Sequence, residues 1–202
     1  MFFKNMLRIF KSYRLSILIV FFFELFYILI GYKGNSYSFS KKKDVADNIP
    51  CPYLFLKKIL IILKDLKIKN FFDLGCGSGR VINFFYKNSL CKYYFGYELF
   101  KIPFLNSSML FKKETNIKIF NSNFKKIVIK KKNSCFFFNL PFSAETKFIN
   151  YLKKNKNFLF KKGNIIILVN FNQNILRKLK FLKKINKYYI AEKKGFFVCK
   201  FL

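Results

Sequence analysis

Residues 71–80 read Phe-Phe-Asp-Leu-Gly-Cys-Gly-Ser-Gly-Arg, and few folds accommodate such a run. An apolar stretch closes on an acid, a glycine-rich turn follows, and a helical pattern starts at once. A first β-strand hands over to a nucleotide-binding loop in this way in open α/β folds. Gly75, Gly77 and Gly79 let the backbone turn tightly and approach a ligand where a Cβ would clash. Asp73 falls at the strand's end, on the crevice side. The glycines alternate strictly behind an acid, which distinguishes the run from the dinucleotide pattern G-x-G-x-x-G.

A second acid separates this reading from an ordinary strand-to-helix turn. Residues 92–98, Lys-Tyr-Tyr-Phe-Gly-Tyr-Glu, read as a second strand closing on Glu98. In Rossmann-like sheets an acid about 20 residues past the loop, at the tip of the second strand, accepts hydrogen bonds from ribose hydroxyls. The chain has 9 Asp and Glu against 40 Lys and Arg, so two acids on two strand tips are a specific signal.

Strands and helices alternate from there on. The pattern predicts a helix over 54–66, then strands at 70–74, 93–98, 117–121, 134–138 and 164–170. Helices are predicted over 80–88, 102–112, 144–159 and 173–183, and a lysine-rich segment, 124–133, stands in place of a full third helix. The chain closes on a hairpin, 188–192 and 196–201, across a Lys193-Lys194-Gly195 turn. Repeated β-α units imply an α/β, Rossmann-like, doubly wound sheet, mostly parallel, with a C-terminal antiparallel strand.

The formal charge of +31 points to an anionic partner. Codon bias offsets part of that inference, since Lys, Asn, Ile and Phe are abundant together and all have A/T-rich codons. The lysines are scattered, densest at 41–43, 125–126, 130–132 and 193–194. Cys51, Cys76, Cys91, Cys135 and Cys199 are odd in number and form no C-x-x-C pair, so no disulfide framework or zinc site is signalled. The chain has no histidine, which excludes Ser-His-Asp and Cys-His hydrolysis and His-ligated metal chemistry. No metal is expected.

The N-terminus differs from the rest. Residues 15–32 carry a single charge, Glu24. As a helix they would extend about 27 Å, close to the hydrocarbon thickness of a bilayer. Arg14 and Lys33 could snorkel at its ends, and Glu24 at mid-span would cost about 2.5–3.5 kcal/mol. No A-x-A-like cleavage site follows, so an uncleaved membrane helix is expected. Basic residues flank both ends almost equally, Lys4, Arg8, Lys11 and Arg14 against Lys33 and Lys41–Lys43, and leave its orientation open. The expected divisions are a basic tail and membrane helix over 1–33, a connector and helix over 34–66, and a nucleotide-binding domain over 67–202.

The D-x-G-x-G-x-G run resembles the first motif of class I S-adenosylmethionine-dependent methyltransferases. The membrane helix, the Ile49-Pro50-Cys51-Pro52-Tyr53 segment, DLGCGSGR and Gly96-Tyr97-Glu98-Leu99 together resemble the small membrane-anchored protein-lysine methyltransferases of mitochondria and their bacterial relatives. The resemblance spans about residues 49–142. It implies that Asp73, Gly75, Cys76, Gly77, Gly79 and Glu98 hold S-adenosylmethionine, and that Asn123 takes the place of an acid that meets the adenine amino group. Asn139-Leu140-Pro141-Phe142 resembles the fourth motif of amino-methyltransferases. Asn139 and the Leu140 carbonyl would accept the acceptor's N–H groups, Pro141 shapes the turn, and Phe142 packs on the substrate. Methyl transfer to an amine is a direct displacement that needs alignment more than a proton shuttle, so it tolerates the lack of histidine. The implied acceptor is a lysine on a membrane protein. The NLPF tetrad also resembles RNA adenine-N6 methyltransferases, and a non-catalytic cofactor-binding membrane protein is a third reading. Because the cofactor is cytosolic, the domain is expected to face the cytoplasm, with the N-terminus crossing the membrane or the helix lying in its surface.

Overall fold

The computed structural model describes residues 17–35, 49–124, 131–139, 145–159, 163–171, 174–191 and 194–201 of the 202-residue chain. Its strands are β1 (Asn70–Leu74), β2 (Tyr93–Glu98), β3 (Ile117–Asn121), β4 (Ser134–Asn139), β5 (Ile165–Val169), β6 (Leu182–Ala191) and β7 (Lys194–Phe201). They form one sheet in the order β3-β2-β1-β4-β5-β7-β6. The first five strands are parallel, and β7 runs antiparallel to both β5 and β6. The helices are α1 (Ile17–Leu29), α2 (Tyr53–Lys64), α3 (Arg80–Lys87), α4 (Lys101–Leu110), α5 (Glu145–Leu159) and α6 (Asn174–Lys178).

Alternation along the central strands builds two apolar layers. Phe71, Cys135, Phe137, Ile165 and Ile167 point to one face and pack with Phe55, Ile59, Phe84 and Phe85 of α2 and α3. Phe72, Phe136, Phe138, Ile166 and Leu168 point to the other and pack with Phe148 and Leu152 of α5. With both faces covered, these strands read as continuous apolar runs, as parallel sheets do. The chain moves outward from β1 through β2 to β3, then returns to β4 on β1's other side. The carboxyl ends of β1 and β4 therefore flank the topological switch point, where open α/β sheets bind ligands.

Two expectations are corrected. The helix expected over 173–183 is limited to Asn174–Lys178, and a ten-residue strand begins at Leu182. Lys183, Lys184 and Lys187 lie exposed on the edge strand β6. Edge strands carry lysine to discourage pairing with other chains, and such residues imitate the polar face of a helix.

The second correction concerns the N-terminus. α1 has 13 residues, about 20 Å of helix, and among the described residues no helix is long and apolar enough to cross a membrane. One side of α1 is built into the domain. Val20 and Tyr27 are buried in the same core as Tyr53 and Phe84, and the Tyr27 ring stacks on that of Tyr53 at 4.9 Å. Glu24 does not face lipid. Its Oε2 lies 2.6 Å from Arg80 Nη1, and its Oε1 accepts the Tyr53 backbone N–H at 2.7 Å. One side of the run is apolar because it is protein core.

Candidate active site

The strand-to-helix loop after β1 has the backbone its glycines allow. Gly77 and Gly79 adopt φ of 53° and 89°, left-handed values that disfavour side chains. At Gly79 a Cβ would also fall 2.7 Å from the Phe111 ring. The loop is tied to the tip of β2. Gly75 and Cys76 donate their N–H groups to the Tyr97 carbonyl at 2.9 and 3.0 Å. Gly77 donates to Glu98 Oε2 at 2.8 Å, and Phe100 donates to Glu98 Oε1 at 2.8 Å. Glu98 thus fixes the loop, and each carboxylate oxygen keeps further lone-pair capacity for ribose hydroxyls. Burial raises its pKa, and the backbone N–H bonds oppose that rise.

Asp73 lies on β1 beside this latch and is 2% exposed. Its Oδ2 is buried with no hydrogen-bond partner among the described residues. Burial, and then the Glu98 charge, push its carboxyl well above the ordinary range. A buried carboxylate without a partner is costly unless a cation or donor meets it. S-adenosylmethionine carries an ammonium at its amino-acid end and hydroxyls on its ribose. An orphaned carboxylate and an acid beside the glycine loop suit both groups.

Cys76 lies buried within the glycine loop. Burial, and then the Asp73 and Glu98 charges, push its thiol well above the ordinary value, and Sγ occupies space that a Cβ on Gly96 would need. Its backbone N–H is what serves the loop. Asn123 lies half-buried just beyond β3, at the neighbouring strand tip. Asn121 Nδ2 joins the two tips by donating to the Glu98 and Leu99 carbonyls at 3.0 and 3.3 Å. Leu99 and Phe120 expose apolar surface there, suited to a planar base.

At the other strand tip, Asn139 ends β4. Its Nδ2 donates to the Ile49 carbonyl at 2.8 Å, and its Oδ1 accepts from Asn170 Nδ2 at 3.0 Å. The amide is therefore oriented, with one lone pair of Oδ1 left over. Pro141 and Phe142, with Leu140, lie outside the described residues. Asn170 was not singled out in the sequence. It sits past β5 at φ 60°, and its own Oδ1 is buried without a partner among the described residues. An Asn closing an apolar strand was the available signal.

The sequence also did not reveal how the loop is braced. Arg80, the residue after Gly79, is 4% exposed. Besides pairing with Glu24, its Nη1 donates to the Cys51 carbonyl at 3.2 Å, and its guanidinium lies 4.5 Å from the Tyr53 ring centroid. The Lys33 N–H donates to Asn83 Oδ1 at 3.3 Å, and a Cβ on Gly34 would collide with the Arg80 backbone. Residues 17–35 thus clasp the far end of the glycine loop.

No protein-family model matches the chain, and no curated protein matches it in sequence. Solved structures do resemble it. Fibrillarin from Aeropyrum pernix, with natively bound S-adenosyl-L-methionine, aligns at TM-score 0.51 and 13% identity, over 71% of this chain and 74% of that one. A putative rRNA-methylase from Clostridium thermocellum aligns at 0.54 and 17%, over 72% and 93%. A ribosomal protein L11 methylase from Lactobacillus delbrueckii subsp. bulgaricus aligns at 0.54 and 12%, over 72% and 77%. With the observed strand order and antiparallel β7, the fold is that of class I methyltransferases. Matches extend to 818 chains, so the fold alone does not choose an acceptor.

Proposed function

We propose that this chain is an S-adenosylmethionine-dependent methyltransferase acting on an amine, a protein lysine side chain. The buried Asp73 carboxylate, whose Oδ2 has no hydrogen-bond partner among the described residues, beside a Glu98-latched glycine loop carries this reading. Asp73 would hold the cofactor's ammonium and Glu98 its ribose. The loop backbone from Gly75 to Gly79 would lie against its amino-acid end, and Asn123, with Leu99 and Phe120, would border its adenine. Bound there, the cofactor supplies an electrophilic methyl group on a sulfonium. Asn139 Oδ1 has a lone pair to accept one N–H of a neutral amine, turning the nitrogen's own lone pair towards that methyl. Pro141 and Phe142 would complete the acceptor pocket. When the nitrogen takes the methyl group and the sulfonium's C–S bond breaks, the amine's proton would pass to solvent, and the thioether leaves as S-adenosylhomocysteine. Because the cofactor is cytosolic, the crevice would open to the cytoplasm.

One observation favours RNA adenine as the acceptor. A groove between α5 and α6, with a volume of about 780 Å³, is lined by Lys153, Lys156, Arg177, Lys178 and Lys180 and, among the described residues, by no acid. It suits a phosphate backbone.

Both readings are tested by giving the full chain methyl-labelled cofactor with membrane, soluble-protein and RNA fractions of the source cell. Label on lysine of a membrane protein is the expected result. Label on adenine, with transfer falling steeply as salt rises, would replace lysine by RNA. Cofactor binding without transfer to any fraction would leave a non-catalytic cofactor-binding protein.

A further inference from the structure

The side of α1 turned away from the domain has no use in the cofactor site. Leu18, Ile19, Phe22, Leu25, Phe26 and Leu29 recur at helical spacing along it, and all are exposed, Phe22 at 64% and Leu29 at 74%. The opposite side is fully committed, through Val20, Glu24 and Tyr27, to the core and to Arg80. An exposed apolar stripe on a firmly docked helix marks an interaction surface.

We propose that this face of α1 is a membrane-contact surface, which lays the helix flat in the headgroup region of an anionic lipid bilayer. Charge selects this occupant. Lys57 Nζ lies 5.4 Å from the Phe23 ring centroid, and Lys87 Nζ donates to the Gly31 carbonyl at 2.9 Å, so ammonium groups flank the stripe at its middle and its end. Lys33, Lys58 and Lys64 are exposed on the same two segments. Among described residues 17–35 and 49–66 the acids are Glu24, which is ion-paired inward, and Asp65, which caps the carboxyl end of α2, against these five lysines. A second copy of the chain would bring a formal charge of +31 against an equally basic surface. Apolar side chains ringed by lysines fit acyl chains bordered by anionic headgroups. A helix of 13 residues, held along its inner side, contacts one leaflet without crossing it. The surface does not depend on the methyltransferase reading, and its test does not use methyl transfer.

The chain has no tryptophan, so Phe22→Trp provides a single reporter. Full-length protein carrying it is titrated with vesicles of phosphatidylcholine alone or mixed with phosphatidylglycerol. The expected result is a blue shift, with quenching by lipid-borne quenchers, on the mixed vesicles. In parallel, Phe22→Asp combined with Leu29→Asp should lower co-sedimentation of the otherwise native chain with mixed vesicles by at least about tenfold, since burying two such side chains is worth more than that. Both positions are exposed, and circular dichroism checks that the double variant is folded. The absence of a blue shift overturns the proposal. So does equal vesicle binding by the native chain and the double variant, which would assign binding to scattered lysines. Self-association of the native chain that the double variant abolishes also overturns it, and gives the face to a second copy.

Discussion

The tips of β1 and β2 and the tips of β4 and β5 are built differently. At the first pair, charged side chains hold the glycine loop from both ends. Glu98 latches Gly77 from one side, Arg80 and Glu24 clasp the loop's exit from the other, and one oxygen, Asp73 Oδ2, remains unmet. At the second pair a chain of amides, Asn170 to Asn139 to the Ile49 carbonyl, orients the groups, and no charge takes part. The first arrangement is rigid and has a place for a cation. The second is neutral and leaves an acceptor lone pair at its centre. One can bind a charged cofactor, and the other can align an uncharged nucleophile without competing for that charge.

Removing the clasp should show how far the first region depends on α1. Glu24→Ala leaves Arg80 charged and buried, and unfolding by urea should show a loss of about 3 kcal/mol. Deleting residues 1–33 should cost at least as much, because Val20 and Tyr27 leave the core with the helix. An unchanged urea midpoint for Glu24→Ala would show that the clasp is ornamental and the contrast misplaced.

The loop itself comes next. Gly77→Val puts a β-branched residue at φ 53° and disturbs the N–H that meets Glu98. Calorimetry should show on the order of a hundredfold weaker binding of S-adenosylhomocysteine. Asn139→Ala should have the opposite profile, because it acts on alignment in the transition state. Turnover should fall about tenfold to thirtyfold while the cofactor dissociation constant barely moves. If both variants affect binding and turnover alike, the two regions do not divide the work.

The smallest effect is a pH dependence confined to the first region. Asp73's carboxyl is raised in the cofactor-free fold, and an ammonium favours its charged form. Below that raised pKa binding must first displace a proton, so affinity should weaken by up to about tenfold for each pH unit lowered. The stability of the cofactor-free protein runs the other way. An acid with a raised folded pKa contributes most at low pH, and stability falls as pH rises from the ordinary carboxylate range through that pKa. Asp73→Asn should flatten both trends in calorimetry and in thermal melts, leaving the part that Glu98, whose carboxyl burial also raises, contributes with the same sign.

How much could be read from the sequence follows the same division. The ends of β2 and β3 fall where the apolar runs and their polar flanks put them, at 93–98 and 117–121. The glycine loop and its two acids were legible because their pattern is local. Glu24 was not, since its partner lies 56 residues away and nothing near it in sequence announces an arginine. It therefore reads as the flaw in a membrane helix when, with Val20 and Tyr27, it docks the helix on the domain. The start of β6 was hidden for a related reason. An edge strand takes its identity from pairing with β7, and its own lysines resemble a helix surface. Asn170 draws its interest from Asn139, which only the sheet brings beside it.

The central claim is that the crevice between β1 and β2 binds S-adenosylmethionine through two acids. Calorimetric titration of the full chain and of Asp73→Asn and Glu98→Ala with S-adenosylhomocysteine tests it most directly. The native chain should bind one equivalent, and each variant should bind more weakly by about 1–3 kcal/mol, the range for losing a hydrogen bond to a charged group. No binding by the native chain, or undiminished binding by both variants, would contradict the claim.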